Sequence, residues 1–311
     1  MRRWSCVATP LLFASCNGDP AAGREPPGAG SCSQDPSAVL TLTPIDTRRI
    51  ESSALPVSLI ASGLDSLWVI DRASTLRRFV GGTDEGTPIL SPEPVRLLEL
   101  AATEVLAASS SAIYALGPDT GTLKLIARVP DDAGDIVSVA GDGTTLWIAT
   151  AGTERREPEL MAAPASRPDP WHRRTLEAHV RIASIGADRI AAAQLEAPHR
   201  VAVYDADLRR VGEAGPQRRR FRQRSSERAE FTQSVVALDC GRLVQVVTDL
   251  RATRRSIHVY SVESEPRLIR SKVVHGPFGF AHPLPGNRLV SVSGGPAWWE
   301  VGLLHWSWTL D

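Results

Sequence analysis

The stretch Ile136-Val137-Ser138-Val139-Ala140-Gly141-Asp142-Gly143-Thr144-Thr145-Leu146-Trp147-Ile148-Ala149 decides the fold. Two apolar runs, each too short for a helix, flank a glycine-aspartate turn. Gly and Asp supply the positive-φ positions that a tight hairpin needs. The reading is two antiparallel strands. Neither run alternates apolar with polar, so both are buried on both faces.

The same device recurs along the chain. Second runs stand at Leu67 to Ile70, Ile113 to Leu116, Leu146 to Ala149, Arg189 to Ala192, Leu243 to Val246 and Leu289 to Val292. Anchors at 68, 114, 147, 191, 244 and 290 are spaced by 46, 33, 44, 53 and 46 residues. First runs precede them, as at Val57 to Ala61, Ile182 to Ile185, Val235 to Leu238 and Phe278 to Ala281. Third runs follow at Leu76 to Val80, Leu123 to Val129, Val201 to Tyr204 and Ile257 to Val262. Strand groups repeating every ~40–50 residues predict an all-β fold, a six-bladed β-propeller with one blade per repeat. Val39 to Leu42 has no repeat of its own. It is assigned as the outer strand of the sixth blade, beside Trp299 to Leu310, so that paired N- and C-terminal strands close the ring. Leu97 to Ala108 has helical propensity, but the repeat register assigns it to strands.

The repeat resembles six-bladed propellers broadly, including NHL-repeat and TolB-like domains, through segments such as Val201-Ala202-Val203-Tyr204-Asp205 and Ala115-Leu116-Gly117-Pro118-Asp119-Thr120-Gly121. The resemblance implies architecture only and carries over no functional residue.

The first residues carry a different signal. Arg2 and Arg3 precede a short apolar run from Trp4 to Phe13, which ends in Phe13-Ala14-Ser15-Cys16. The run is too short to span a bilayer. It resembles the lipobox of bacterial lipoproteins, with Phe13 where Leu is usual. The resemblance implies a signal peptide over 1–15 and lipidation of Cys16, the alternative being an ordinary secretory signal. Asn17 in place of Asp implies the outer membrane, and therefore a cell-envelope location, periplasmic or surface-facing. Residues 16–37 are rich in Gly and Pro and read as a flexible tether, leaving 38–311 for the propeller. Of the four cysteines, Cys32 and Cys240 remain after Cys6 and Cys16. An oxidising compartment permits a bridge between them, worth roughly 5 kcal/mol in the chain-entropy model; two independent thiols is the other reading.

Charge is balanced at 35 basic and 35 acidic residues, which gives no reason to invoke nucleic acid. HExxH, CxxC, GxSxG, a P-loop and the Trp-Asp dipeptide are all missing from the sequence. No cofactor or metal is called for, and no catalytic residue is assigned. Asp131, Asp132 and Asp135 crowd one turn and read as solvated rather than as a Ca²⁺ site.

The candidate binding residues sit in loops. Arg218, Arg219 and Arg220 begin a basic run suited to anionic groups, against the reading of a solvated insertion. Trp298 and Trp299 are placed to stack on a sugar or peptide, or to pack the last blade. His275 and His282 flank the innermost strand of blade six, and Arg254 and Arg255 lie in the Thr248 to Arg255 insertion. Gly152 to Pro170, Gly215 to Gln233, Thr248 to Arg255 and Gly294 to Ala297 are assigned to one face, with the tether, Cys32 and Cys240 on the other. Variable loops on a rigid scaffold are where binding resides. The expected function is a lipid-anchored, monomeric binding scaffold for a protein or glycan, more a binder than an enzyme. The alternative is a propeller hydrolase or lactonase using a metal in the channel.

Overall fold

The computed structural model describes residues 38–310 except 52–55, 62–65, 72, 81–82, 85–87, 102–103, 118–121, 154–155, 187, 217–229, 239–240, 250–253, 276–279, 285–287 and 296–297. Cys16, Cys32, Cys240, Arg218, Arg219 and Arg220 therefore lie outside the described residues, as do the expected signal peptide and tether.

Among the described residues every regular element is a strand, and these strands form six four-stranded antiparallel sheets. After β1 (Ala38–Glu51), the first sheet is β2 (Pro56–Ala61), β3 (Ser66–Asp71), β4 (Leu76–Val80) and β5 (Thr83–Asp84). The second is β6 (Leu97–Ala101), β7 (Glu104–Ala108), β8 (Ala112–Leu116) and β9 (Leu123–Arg128). The third is β10 (Ile136–Gly141), β11 (Thr145–Thr150), β12 (Glu159–Pro164) and β13 (His172–Thr175). The fourth is β14 (Val180–Ser184), β15 (Arg189–Gln194), β16 (Val201–Asp205) and β17 (Arg210–Ala214). The fifth is β18 (Glu230–Leu238), β19 (Arg242–Asp249), β20 (Arg254–Ser261) and β21 (Arg267–His275). The last comprises β22 (Phe280–Leu284), β23 (Arg288–Gly295) and β24 (Trp298–Leu310), with β1 as its outer strand. β1 pairs along β24 from Ala38 opposite Leu310 to Glu51 opposite Trp298.

The quoted hairpin is β10 and β11, with Ala140 opposite Trp147 and a positive φ at Gly143. Within the segment of helical propensity, Leu97–Ala101 and Glu104–Ala108 are strands, β6 and β7, paired with each other. One expectation is corrected: Ile113 to Leu116 is the third strand of its sheet, not the second, and Leu123 to Arg128 is the fourth, not the third. With β7 as the second strand, Trp68, Leu106 and Trp147 stand 38 and 41 residues apart, and the short 33-residue interval disappears.

The first strand of each sheet touches the first strand of the next, β2 to β6, then β10, β14, β18 and β22. The core fills the slabs between sheets. Ile60, Trp68 and Ile70 meet Leu98, Val105 and Tyr114, and Leu106 and Ile113 meet Val139 and Ile148. Trp147 and Leu160 meet Ile182 and Ile190, and Ala191, Ala193 and Val203 meet Leu243 and Tyr260. This explains the unbroken apolar runs, since both faces of these sheets are covered.

An inner strand is a sheet edge, so its outward amides need partners from the neighbouring sheet. In β2, β10 and β18 a β-bulge falls just before a serine: Ser58, Ser138 and Ser234. Leu98 N–H donates to Ser58 Oγ at 2.9 Å and Ile182 N–H to Ser138 Oγ at 3.1 Å. Serine after a bulge thus ties the first sheet to the second and the third to the fourth, whereas Ser234 Oγ is buried with no hydrogen-bond partner among the described residues. Backbone also approaches closely between loops, where a Cβ on Gly134 would collide with the Ala151 carbonyl oxygen. Gly134→Ala is expected to cost about 1–3 kcal/mol, the range for forced overpacking, measurable by urea denaturation.

Candidate functional site

Two side-by-side clefts are built from connections after second and fourth strands, which share one side of the strand set. The first, about 550 Å³, is lined by Gly152, Thr153 and Arg156 to Pro158 between β11 and β12, by Glu177 to His179 between β13 and β14, and by Glu196 after β15. The second, about 530 Å³, is lined by Pro198 and Arg200 before β16, by Arg210 at the start of β17 and by Glu213 to Pro216 at its end. Arg200 pairs with Glu213 at 2.9 Å, and Arg210 pairs with the same carboxylate. Gly152 N–H donates to His179 Nε2 at 3.0 Å, fixing the first cleft's wall.

The loop boundaries differ from those expected. Gly152 to Pro170 is not one loop, because β12 runs through it and sends residues 165–171 to the opposite side. Gly215 to Gln233 ends in strand, with Glu230 to Gln233 opening β18; Gly294 and Gly295 close β23. The strand character of these residues was hidden by polar side chains at the sheet ends.

Beneath the clefts lies a buried polar network that the sequence reading missed. Thr232 Oγ1 donates to the Gln194 carbonyl at 2.6 Å, which uses its one proton. It accepts from Gln245 Nε2 at 2.9 Å, and Gln245 Oε1 accepts from the Tyr260 hydroxyl at 2.9 Å. His199 Nδ1 lies 3.3 Å from Thr232 Oγ1 and must be the donor, so its neutral tautomer carries the proton on Nδ1. Nε2 then presents a lone pair, with no hydrogen-bond partner among the described residues and the Glu230 carboxylate 3.9 Å away. His199 also has φ +58°, a strained conformation for a residue with a side chain. Burial holds the His199 imidazole below its ordinary pKa, opposed by a hydrogen bond to the Gln194 backbone and by the Glu196 charge. His258, bonded through Nδ1 to Ser271 Oγ at 2.7 Å, is pushed down to about 4 by burial and by His199. Both imidazoles are neutral at pH 7.

A second charged feature sits on the inner strands. Among the described side chains of β6, β10 and β14, Glu99 and Arg181 are the charged ones. Leu97 packs toward the third sheet, so Glu99, two residues on, shares that side. Arg181 points toward the fifth sheet, where its Nε–H donates to the Thr232 carbonyl at 3.3 Å. Each keeps partial exposure while protein surrounds it. Burial pushes the Glu99 carboxyl up to about 7, with Arg181 pulling the other way. Burial lowers the Arg181 guanidinium, and Glu99 partly restores it.

The expected binding residues scatter differently. Arg254 and His275 face each other in register at the cleft-side ends of β20 and β21, and Arg255 is half-buried one residue on. His282 stands mid-β22 opposite Val290; Trp298 and Trp299 open β24 opposite Glu51 and Ile50. Of Arg254, His275, His282, Trp298 and Trp299 the backbone alone is described. Arg255 lines neither cleft. Asp132 pairs with Arg173 at 2.7 Å, and Asp135 lies 4.0 Å from Arg96. Among the described residues no group of three His, Cys, Asp or Glu side chains converges to hold a metal ion.

No family model and no curated protein sequence matches the chain. Solved structures do. A chain of the Mitotic Checkpoint Complex matches with TM-score 0.54 at 11% identity, covering 84% of this chain and 94% of that one. BBS1N in complex with ARL6DN, soaked with lead, matches with TM-score 0.53 at 13% identity, covering 82% and 81%. The WD40 β-propeller domain of Doa1 matches with TM-score 0.50 at 10% identity, covering 85% and 96%. Similarity at this level shows the fold, a β-propeller.

Proposed function

We propose that the chain is a closed six-bladed propeller serving as a binding scaffold, monomeric and moored to an outer membrane by acyl chains on Cys16. The closed ring is supported by β22 touching both β18 and β2, together with the β1–β24 pairing. The clefts carry the binding reading. They are adjacent, open on one side, and lined by charged groups of both signs rather than by an apolar pocket. That suits a polar protein or glycan surface better than a buried small substrate. The same side holds the strand ends at Arg254 and His275. Two of the similar structures are of protein complexes, which fits a partner-binding role.

The test is a crosslinked pull-down comparing wild type with Arg156→Glu plus Glu177→Arg, two exposed cleft residues. The expected result is a partner captured by wild type and lost by the double variant. An identical set of captured proteins overturns the assignment to the clefts. Mass spectrometry of the mature N-terminus is expected to find a diacylated or triacylated Cys16, and an unmodified start removes the mooring.

A further inference from the structure

The two clefts share the connection 195–200 between β15 and β16, which gives Glu196 to the first and Pro198 and Arg200 to the second. Their charges differ in sign. Among the described residues Arg156, Glu157, Glu177 and Glu196 line the first, so carboxylates outnumber cations there. Arg200, Arg210 and Glu213 line the second, where cations outnumber carboxylates.

Local structure builds the positive cleft. Residues three apart on a regular strand point to opposite faces. Val203 stands opposite Gly212 and Tyr204 opposite Arg210, so Val211 is the extra residue of a β-bulge and Arg210 falls on the same side as Glu213. Arg200 comes to that carboxylate from the residue before β16. A Cβ on Gly215 would lie 2.9 Å from Arg200 Cγ, so glycine there leaves room for the side chain to cross. Glu213, with its side chain 17% exposed, accepts from Arg200 NH1 at 2.9 Å through Oε1 and from Arg210 NH2 through Oε2. One carboxylate thus holds two guanidiniums by a single terminal nitrogen each. Their other N–H groups have no partner among the described residues, and the Arg200 and Arg210 side chains are 58% and 38% exposed.

Two guanidiniums against one carboxylate leave one positive charge, which one further carboxylate balances. A guanidinium edge matches a carboxylate in parallel hydrogen bonds. A polyanion suits the pair of clefts poorly, because its next charges fall against Glu157, Glu177 and Glu196. A protein surface with an acidic side chain beside a basic one complements both. We propose that a protein partner seats an Asp or Glu carboxylate between Arg200 and Arg210, with a basic side chain beside it over Glu177 and Glu196. This rests on the reading of the clefts as the binding surface and names the chemistry they recognise.

NMR titration of the full chain at low ionic strength uses N-acetylated, C-amidated glycine peptides carrying one Glu, one Lys, or both at increasing separation. The expected result is one Glu–Lys spacing bound about threefold more tightly than the Glu peptide, the scale of an exposed ion pair, with the Lys peptide weakest. A galacturonate oligosaccharide supplies the polyanion and should bind less tightly than the preferred peptide; tighter binding reassigns the cleft to acidic glycans. Arg200→Gln and Arg210→Gln should each weaken the Glu peptide about threefold. Glu213→Gln, which turns both guanidiniums over to the ligand, should tighten it by a similar factor. Binding indifferent to the arginine substitutions, or weakened alike by all three, overturns the proposal. The crosslinked pull-down separates this failure from failure of the clefts. A partner lost by Arg156→Glu plus Glu177→Arg but kept by Arg200→Gln plus Arg210→Gln rejects the carboxylate seat alone, whereas a partner kept by both rejects the clefts as well.

Discussion

Replacing Trp147 by alanine lowers stability by about 3–5 kcal/mol, the range for emptying a large buried aromatic site. Trp147 is fully buried in the slab joining the third and fourth sheets, among Leu160, Ile182, Ile190 and Tyr204. Two sheets therefore lose packing at once. Trp147→Phe is expected to behave differently. The Trp147 indole N–H is buried without a hydrogen-bond partner among the described residues, and an unmet donor costs about 1–3 kcal/mol. Phenylalanine discards that donor while keeping most of the apolar area, so the two changes offset and the net loss stays within about 1 kcal/mol. Urea denaturation measures both. Equal losses for Ala and Phe would mean that the indole nitrogen is satisfied in solution.

The second large effect is in the pH dependence, and wild type conceals it. His258 has a folded pKa of about 4 against 6.5 for the ordinary imidazole. The unfolded chain takes up this proton first, so its contribution is full above 6.5 and is lost as pH falls toward 4. At 1.36 kcal/mol per unit this amounts to about 3 kcal/mol. His199 acts in the same direction. Glu99 acts in the opposite one: its folded pKa of about 7 lies above the carboxyl value of 4.5. Folding therefore takes up a proton between 7 and 4.5, and stability rises by about 3 kcal/mol as pH falls through that window. The two nearly cancel. Glu99→Gln removes the compensation and is expected to lose about 3 kcal/mol more than wild type between pH 7 and pH 4.5. His258→Gln is expected to gain relative to wild type over the same range. Parallel pH profiles for wild type and Glu99→Gln would mean that Glu99 is solvated.

The fold was readable where turn chemistry was explicit. Gly141, Asp142 and Gly143 mark their hairpin, and the runs beside them are strands because they are too short for anything else. Glu104 to Ala108 is strand, as the repeat register requires, because pairing with β6 and β8 overrides the local helical preference of Glu, Leu and Ala; its place as the second strand of its sheet was masked by that preference. Outer strands were invisible for another reason. His172 to Thr175 is exposed at every residue and Arg210 to Ala214 exposes its first two, so neither shows an apolar run. β12 was lost inside an apparent insertion because its bounding turns are Pro-rich. The polar network could not be seen, because its members come from three separate segments and meet only through folding. Glu99 and Arg181 did leave a trace: each is a single charge at the edge of an apolar inner run, which a buried strand tolerates only for a reason.

Everything rests on the ring being joined by its two ends, and hydrogen exchange across Ala38–Glu51 tests this most directly. The amides of β1 are expected to be protected to the same degree as those of β22 to β24 and to open with them as one unit. Rapid exchange throughout β1, while β14 to β16 remain protected, would contradict the closure.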